Sequence, residues 1–294
     1  MKIIIIGHQG NLGQKLMQTF KDYEPLGFDK EDFDITNENT VKAKINKSKP
    51  DFVINASAYN AVDACEESRG EYELAKQING YGPGYLAKAC HKNNAVLVHY
   101  STDYVFKGDK KSGYRESDKP DPIQNYGQSK LLGEKEVQKY GDKFYIIRTS
   151  KLFGRPGLSD QSKKSFIDIM LELSKVKDTL EVVNEEFSCF TYTPDLAKQT
   201  YNLLFGSNNN QYGIYHFVNE GPCTWFECAV KLFNIINKNI EIKPISGEKF
   251  KRPAKRPKYS RLLNTKTEKM RSLDQALRSY LKEIKEIYSG SDST

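Results

Sequence analysis

The chain has 294 residues, of which 38% are hydrophobic and 28% charged. Its net charge of +7 is compatible with binding to nucleic acid, with binding to an anionic small molecule, or with no binding role for the charge. The longest aliphatic run, Ile3–Ile6, is too short to span a bilayer and stops at Gly7, so we expect neither a membrane span nor a secretory signal. Five cysteines without a C-x-x-C pair favour reduced thiols in the cytoplasm over a disulfide framework or a metal site.

Strand-like and helix-like segments alternate through the first half of the chain. Short apolar runs predict strands at Lys2–Ile6, Pro25–Phe28, Phe52–Asn55, Ala95–Tyr100 and Phe144–Thr149. Amphipathic stretches predict helices from Leu12 onward and over residues 37–47, 70–91 and 127–140. This alternation predicts an α/β fold, a Rossmann-type doubly wound parallel sheet with helices on both faces.

The second half is less regular and predicts a smaller α/β substrate domain. Thr193-Pro194 opens a helix, with the threonine as its expected cap. A capping box at Thr224–Glu227 opens another, and an apolar stripe predicts a last helix over 274–287. We therefore expect a nucleotide-binding domain at 1–150, a substrate domain at 151–288 with some chain interleaving, and a fraying polar tail at 289–294.

A glycine turn follows the first predicted strand directly and opens the first helix. Gly7, Gly10 and Gly13 have G-x-x-G-x-x-G spacing. Glycines there permit a tight turn and close approach of a pyrophosphate, while the helix N-terminus offers free amides to the phosphates. The placement favours a dinucleotide site over a plain turn.

An acidic residue, Asp29, stands where the second strand should end. A carboxylate there accepts hydrogen bonds from the adenosine ribose, which favours NAD, although a solvent-facing loop acid is an equal alternative. The neighbouring Lys30 would tolerate a 2′-phosphate, so both NADPH and NADH remain candidates. Asp34-Ile35 is expected beside the adenine by analogy with the fold alone.

Tyr126 and Lys130 stand at i, i+4 spacing and so share one helix face. An ammonium near a phenol favours the phenolate, so we expect a lowered pKa for Tyr126 and a role as proton donor. Tyr72 and Lys76 have the same spacing. Only the first pair follows a strand that ends in hydroxyl-bearing residues, Ser101-Thr102, so we expect the second to be an ordinary surface pair.

Seven segments resemble, in order, the extended short-chain dehydrogenase/reductases, and most closely the dTDP-4-dehydrorhamnose reductase family. The segments read GHQGNLGQ, INASAYNAVDACEE, HYSTDYVFKG, NYGQSKLLGE, RTSKLFG, TYTPDLA and RPKYSRL, and the match as a whole runs from Met1 to about Tyr288. The resemblance implies hydride transfer from a nicotinamide to the C4 ketone of a nucleoside-diphosphate-4-keto-6-deoxyhexose, for deoxysugar and surface glycan synthesis. It also implies a possible homodimer.

The resemblance assigns roles to individual residues. It implies a catalytic triad of Thr102, Tyr126 and Lys130. Besides Tyr126 and Lys130, the residues expected to line the cofactor are Gly7, Gly10, Asn11, Leu12, Gly13, Asp29, Asp34, Ile35, Ala58, Tyr59, Asn60 and Tyr100. Those expected to contact the sugar nucleotide are Thr102, Asp103, Lys151 and Arg256.

Two departures from the family pattern fall in the expected sugar pocket. Lys151 stands where the family often has tryptophan, and residues 188–191 read Ser-Cys-Phe-Thr instead of Gly-x-Pro-Thr. We therefore expect an active reductase whose sugar differs from that of the standard rhamnose enzyme. Two alternatives remain open: a combined epimerase/reductase on a UDP- or GDP-linked sugar, and a non-catalytic NADP-binding regulatory homologue.

A dense basic segment at residues 249–261 carries seven of the cations. A solvated loop is one interpretation, and nucleic-acid binding is disfavoured because only Phe250 and Tyr259 interleave the charges. We favour a clamp for the diphosphate of a sugar nucleotide, since Arg256 belongs to a segment that matches the family.

Overall fold

The computed structural model describes residues 1–158, 162–206 and 211–290, with side chains up to residue 285. The strands in those ranges are β1 (Ile3–Ile6), β2 (Leu26–Phe28), β3 (Phe52–Asn55), β4 (Val96–Thr102), β5 (Phe144–Thr149), β6 (Leu152–Phe153), β7 (Thr179–Val183), β8 (Thr191–Tyr192), β9 (Gly213–His216), β10 (Asn219–Glu220), β11 (Glu241–Ile245) and β12 (Met270–Ser272). The α-helices there are α1 (Asn11–Thr19), α2 (Glu38–Ser48), α3 (Ala64–Glu67), α4 (Arg69–Ala75), α5 (Gly82–Lys92), α6 (Asn125–Tyr140), α7 (Phe166–Leu173), α8 (Thr193–Phe205), α9 (Trp225–Ile235) and α10 (Leu273–Gly290).

Six strands of the described residues form one parallel sheet in the order β2-β1-β3-β4-β5-β9. This confirms the predicted α/β fold class with a parallel sheet. The register pairs Ile6 with Asn55 and Thr102 with Thr149, so the carboxyl ends of the central strands meet at one edge. The last strand of the sheet, β9, comes from residues 213–216 and pairs with β5.

Both faces of the sheet are buried, which explains why β1 lacks polar alternation. Ile4 and Ile6 pack on one face, in a cluster that includes residues of α2, α5 and α6. Ile3 and Ile5 pack on the other face, in a cluster that includes residues of α1 and α8. A third apolar cluster lies in the second half of the chain, between α7, α9, α10 and the short strands β6, β7 and β8.

The predicted helix over 70–91 is wrong in one respect, because it is not a continuous α-helix. A π-helical turn, Lys76–Tyr81, separates α4 from α5. Its inward residue Asn79 is buried and donates from its side-chain amide to the carbonyl of Tyr59 and to Ser129 Oγ. Such insertions within helices occur often at functional sites.

The ends of the later helices show which local signals are reliable. The capping box at Thr224 and Glu227 is confirmed, and both reciprocal hydrogen bonds are present. The expected cap at Thr193 is wrong: its hydroxyl donates to Asn11 Oδ1 at 2.8 Å, and Tyr192 holds the cap position. The last helix continues past the predicted end to Gly290, while residues 291–294 of the predicted tail lie outside the described residues.

The helices in the described part of the chain include none that is both long enough and apolar enough to cross a membrane.

Candidate active site

The glycine turn between β1 and α1 requires glycine at two of its positions. Gly7 has φ +79°, a conformation that side chains rarely adopt, and a Cβ on Gly13 would lie 2.0 Å from the Gly7 carbonyl oxygen. Gly10 is the N-cap residue of α1 and has an extended conformation. As in any helix, the amides of the first turn have no hydrogen-bond acceptor within the helix. Leu12 is buried and anchors this turn to the core. The arrangement matches a cradle for the phosphates of a dinucleotide.

A segment that the sequence did not single out, residues 154–158, lies against this turn. The amide of Leu158 donates to the Gln9 carbonyl at 2.8 Å. Asn11 donates from Nδ2 to the carbonyl of Gly154 at 3.4 Å and accepts from Thr193, so it joins three elements. Because these partners are about 140 to 180 residues apart in sequence, no local pattern indicates the contact.

Asp29 lies one residue after β2, beside the glycine turn, as predicted. Its Oδ2 accepts from the Gln9 amide at 3.1 Å and lies 2.6 Å from His8 Nδ1. Burial raises the pKa of Asp29, against the hydrogen bond from Gln9 and the proximity of His8. Farther on, Asp34 Oδ1 accepts from the amide and hydroxyl of Thr36, which fixes this loop locally.

Asp34 is followed by Ile35, which is buried, and the two lie near the start of α5 through the close approach of Ile35 to Gly82.

Tyr126 lies in the first turn of α6, and three contacts fix its position. The Gln124 side chain caps the helix through the Gly127 amide. Asn125 Nδ2 donates to the Cys65 carbonyl at 2.9 Å. A Cβ on Gly127 would lie 2.2 Å from the Tyr104 carbonyl oxygen, so only glycine allows α6 to approach this closely.

The proposed triad is assembled at the carboxyl edge of β4. Thr102 is the last residue of β4, and its hydroxyl, which donates to Asp103, lies within hydrogen-bonding reach of Tyr126. Tyr126 also donates to Asn60 Oδ1 at 3.4 Å. Lys130 Nζ, one helical turn on, donates to the carbonyl of Tyr100 at 2.7 Å.

Tyr100 therefore faces the site through its backbone. Its own side chain is buried and hydrogen-bonds with Thr200 on α8 at 2.7 Å, away from Lys130.

The protonation of this group differs from the sequence-based expectation. Burial, followed by the charge of Asp103, raises the pKa of Tyr126, and the hydrogen bond from Thr102 only partly opposes this. The predicted lowering is therefore wrong, because the desolvation of a buried phenol outweighs its polar partners. Burial lowers the pKa of Lys130 to about 8, while the carboxylate of Glu134 acts in the opposite direction. The tyrosine is consequently a protonated group across the physiological range.

The loop after β3 carries Ala58, Tyr59 and Asn60 to the same edge of the sheet. Buried Asn79, on the π-helical turn, accepts from the Tyr59 amide at 2.9 Å through Oδ1 and donates back to its carbonyl. The Tyr59 hydroxyl donates to Glu71 on α4. The π-helical turn thus fixes the loop that brings Asn60 to Tyr126.

Asp103 and Lys151 lie on the other side of Thr102. Asp103 is buried and accepts from Ser260 Oγ at 2.6 Å and from Thr102 Oγ1 at 3.2 Å. Burial raises the pKa of Asp103. Lys151 has φ +40°, and its Nζ lies 3.8 Å from the ring centre of Trp225.

Lys151 is a nearly unpartnered cation. Its Nζ donates to the Glu186 carbonyl at 3.3 Å, and it forms no ion pair with the carboxylates of the described residues. Burial lowers the pKa of Lys151 to about 8. The indole of Trp225 is already covered by this ammonium, and its Nε1 donates to Glu186 Oε2 at 2.8 Å. At this position the ammonium of Lys151 therefore covers an aromatic face.

Two arginines of the basic segment 249–261 are paired with carboxylates elsewhere in the chain. Arg256 binds both oxygens of Asp63, at 2.9 and 2.8 Å, and the Ala254 amide also donates to Asp63. Arg252 pairs with Glu186. These contacts fasten the segment to the loop after β3, through Asp63, and to the stretch between β7 and β8, through Glu186. Any phosphate bound by Arg256 must therefore share that side chain with Asp63.

The residues present fit a nicotinamide dinucleotide. Gly7 and Gly13 let the turn pack closely on its own backbone, which leaves the amides at the start of α1 free to bind phosphates, and Tyr126 and Lys130 stand at the same sheet edge. In the described ranges, no cluster of three or more His, Cys, Asp or Glu side chains is placed to hold a metal ion.

Comparison with known proteins identifies the family. A family model described as the RmlD substrate binding domain matches residues 1–291. The chain belongs to this family. It is 36% identical over 277 residues to the dTDP-4-dehydrorhamnose reductase of Aggregatibacter actinomycetemcomitans, covering 90% of this chain and 91% of that protein. It is 34% identical over 288 residues to the spore coat polysaccharide biosynthesis protein SpsK of Bacillus subtilis (strain 168), covering 96% and 97%.

A solved structure extends the similarity to three dimensions. The dTDP-4-dehydrorhamnose reductase of Bacillus anthracis, in complex with NADP, matches with a TM-score of 0.89 and 36% identity, covering 96% of this chain and 99% of that one. The expected membership of the RmlD family is therefore confirmed over nearly the whole chain.

Proposed function

We propose that this protein is an NAD(P)H-dependent oxidoreductase that reduces the C4 ketone of a nucleoside-diphosphate-4-keto-6-deoxyhexose, dTDP-4-dehydro-L-rhamnose or a close relative, to the hydroxyl. The observation that carries the proposal is the meeting of Thr102, Tyr126 and Lys130 at the carboxyl edge of the sheet, the edge from which the glycine turn also leaves. The reductase names of the relatives favour this reaction over a combined epimerase/reductase or a non-catalytic homologue. The product would serve deoxysugar and surface glycan synthesis.

The cofactor would be held mainly by backbone amides at the start of α1, in a turn whose close backbone packing depends on Gly7, Gly10 and Gly13. Asn11, Leu12, Asp29, Asp34 and Ile35 would line the adenosine half, and Ala58, Tyr59, Asn60 and Tyr100 the remainder. The nicotinamide, when bound, supplies the hydride. Asp29 and Lys30 leave both NADPH and NADH as candidates.

The catalytic roles follow from the chemistry of each side chain. Tyr126 is protonated, because burial raises its pKa, and so it has a proton to give to the oxygen of the ketone as that oxygen gains charge. The Thr102 hydroxyl donates to the same oxygen, which is typically worth a few kcal/mol at the transition state. The Lys130 ammonium binds the ribose and favours the tyrosinate that proton donation leaves.

The sugar nucleotide would lie against Thr102, Asp103, Lys151 and Arg256. Asp103 is held by Ser260, so it is a fixed acceptor for a sugar hydroxyl. Lys151, half-buried and without an ion-pair partner among the described residues, is suited to an electron-rich ring substituent. Arg256 would contact the diphosphate while remaining fastened by Asp63.

The organisation of the chain is part of the same proposal. A nucleotide-binding domain over about 1–150 would include β9 and α8 from the later sequence, and residues 151–288 would form most of the substrate domain. We further propose a cytoplasmic enzyme, which the five free, buried thiols support, and a homodimer, for which sedimentation is the test.

The test is a panel of dTDP-, UDP- and GDP-linked 4-keto-6-deoxyhexoses, each offered with NADPH and with NADH while cofactor oxidation is followed. We expect turnover with at least one dTDP-linked ketose, and none with the corresponding 4-hydroxy sugars as matched controls. The absence of turnover with every ketose, in a protein that still binds cofactor, would refute the reductase assignment.

A further inference from the structure

Helix α6 carries a third ionisable residue in line with the proposed catalytic pair. Tyr126, Lys130 and Glu134 follow one another at four-residue spacing, so they share one helix face. Glu134 has 0% of its surface exposed and does not contribute to the proton transfer described above. A buried carboxylate is costly unless it is paired and hydrogen-bonded, so its presence requires an explanation.

Glu134 is fully paired by side chains from two strands. Arg148 on β5 donates from Nε to Oε1 at 2.9 Å and from an Nη to Oε2 at 2.7 Å. Ser101 on β4 donates to Oε1 at 2.6 Å. Arg148 is itself buried, with its guanidinium over the ring of Phe106.

A neutral histidine supports the arginine from the other side. His216 Nδ1 lies 3.2 Å from the Leu263 carbonyl, which can only accept, so Nδ1 carries the proton. Nε2 therefore has a lone pair directed at Arg148, 3.5 Å away. Burial, with the charge of Arg148, lowers the pKa of His216 to about 3, which keeps the ring neutral.

We call Glu134, Arg148 and Ser101 the Glu134 cluster. It joins the two elements that carry the proposed catalytic residues, helix α6 and strand β4. Ser101 lies between Tyr100, whose carbonyl accepts from Lys130, and Thr102, whose hydroxyl contacts Tyr126. One carboxylate thus ties the strand that carries these acceptors to the helix that carries Lys130.

Of the ionisable groups around Lys130, Glu134 is the one that favours the charged form of the lysine. His99 faces it from β4 and is neutral, because burial lowers its pKa well below the usual value. Tyr126, from α6 itself, is protonated, and Arg148 on β5 is positive but compensated by Glu134. Glu134 is the carboxylate whose charge opposes the effect of burial on the pKa of Lys130, and it acts in this direction although Arg148 also binds it.

We propose that Glu134, supported by Arg148 and Ser101, is a positioning residue that keeps Lys130 charged and directed at the carbonyl of Tyr100. The inference rests on the proposed function, since it presumes that Lys130 serves the reaction.

The test compares Glu134→Gln with Glu136→Gln, which makes the same charge change on the same helix. Loss of the Glu134 charge lowers the pKa of Lys130, so the ammonium is lost at lower pH. We expect the alkaline limb of the kcat profile, and the alkaline loss of NADPH affinity followed by fluorescence, to move down by about one pH unit. Glu136→Gln should leave both limbs in place.

Two outcomes separate this inference from the proposed function. A limb that does not move in Glu134→Gln, even if kcat falls at every pH, would show a merely structural role and overturn the inference. A fully active Lys130→Met would instead contradict the proposed function. If Glu134→Gln fails to fold, the double variant Glu134→Gln/Arg148→Gln leaves no unpaired buried charge. Because it also removes the positive charge of Arg148, a smaller downward shift is expected of it, and an alkaline limb that does not move down would overturn the inference.

Discussion

The two Tyr-x-x-x-Lys pairs of this chain share a spacing and differ in everything around it. Lys130 is 2% exposed and donates to a strand carbonyl, with Tyr126 against the hydroxyl of Thr102. Lys76 instead pairs with Glu73 at 2.7 Å and lies over the ring of Tyr72, whose hydroxyl donates to Gln128.

The difference shows that the same spacing occurs in two environments that shift the lysine pKa in opposite directions. Burial lowers the pKa of Lys130, whereas the hydrogen bond to Glu73 raises that of Lys76. The first lysine lies at the carboxyl edge of the sheet, and the second lies where α4 passes into the π-helical turn. Three pairs of matched variants measure how much of the function depends on that environment.

The largest difference is expected between Tyr126→Phe and Tyr72→Phe. Removing the Tyr126 hydroxyl removes the proposed general acid, so kcat should fall by about 10²–10⁴-fold. Tyr72→Phe loses only a hydrogen bond to Gln128 and should retain wild-type turnover. Steady-state rates of NAD(P)H oxidation decide this, and equal losses in the two variants would remove the distinction between the pairs.

The lysines should differ next. Lys130→Met keeps the length of the side chain but removes the charge, and we expect kcat/KM to fall by about 10²–10³-fold. Weaker cofactor binding should account for part of the loss. Lys76→Met, which breaks the contact with Glu73, should leave kcat/KM unchanged. If Lys130→Met bound the cofactor and turned over the substrate like the wild type, the expected difference between the two lysines would be contradicted.

The smallest difference concerns the glycines beside the two tyrosines. A Cβ on Gly127 would lie 2.2 Å from a backbone oxygen, so Gly127→Ala should cost about 1–3 kcal/mol of unfolding free energy. The nearest atom to a Cβ on Gly70 is Ser68 Oγ at 3.6 Å, so Gly70→Ala should stabilise by up to about 1 kcal/mol. Urea denaturation of both variants measures the difference, and a neutral Gly127→Ala would mean that α6 has room to move.

The parts of the site that the sequence predicted are those with a local signal. The glycine turn and the pair Tyr126 and Lys130 each depend on a few neighbouring residues, although only the hydroxyl-bearing end of the preceding strand distinguishes this pair from Tyr72 and Lys76. The capping box at Thr224 was found for the same reason. The pKa of Tyr126 was predicted in the wrong direction because its burial depends on the whole fold.

The parts that were missed join residues far apart in the chain. Arg256 and Asp63 are 193 positions apart, and nothing near either indicates that they pair. Thr193 resembled a helix cap but donates to Asn11, 182 positions away. The sequence did not predict the π-helical turn, because its buried residue Asn79 is held by a contact with a distant part of the chain. Burial and long-range pairing therefore account for most of the errors.

Strand β9 is synthesised well after the strand with which it pairs, and this order affects how the sheet forms. On the ribosome, β5 can pair with β4 long before residues 213–216 exist, so one border of the sheet stays open while some sixty more residues are synthesised. An open parallel border invites association with other chains. A fragment cut at residue 150 would keep that border permanently, and it should be isolated with β9 restored rather than as the first half alone.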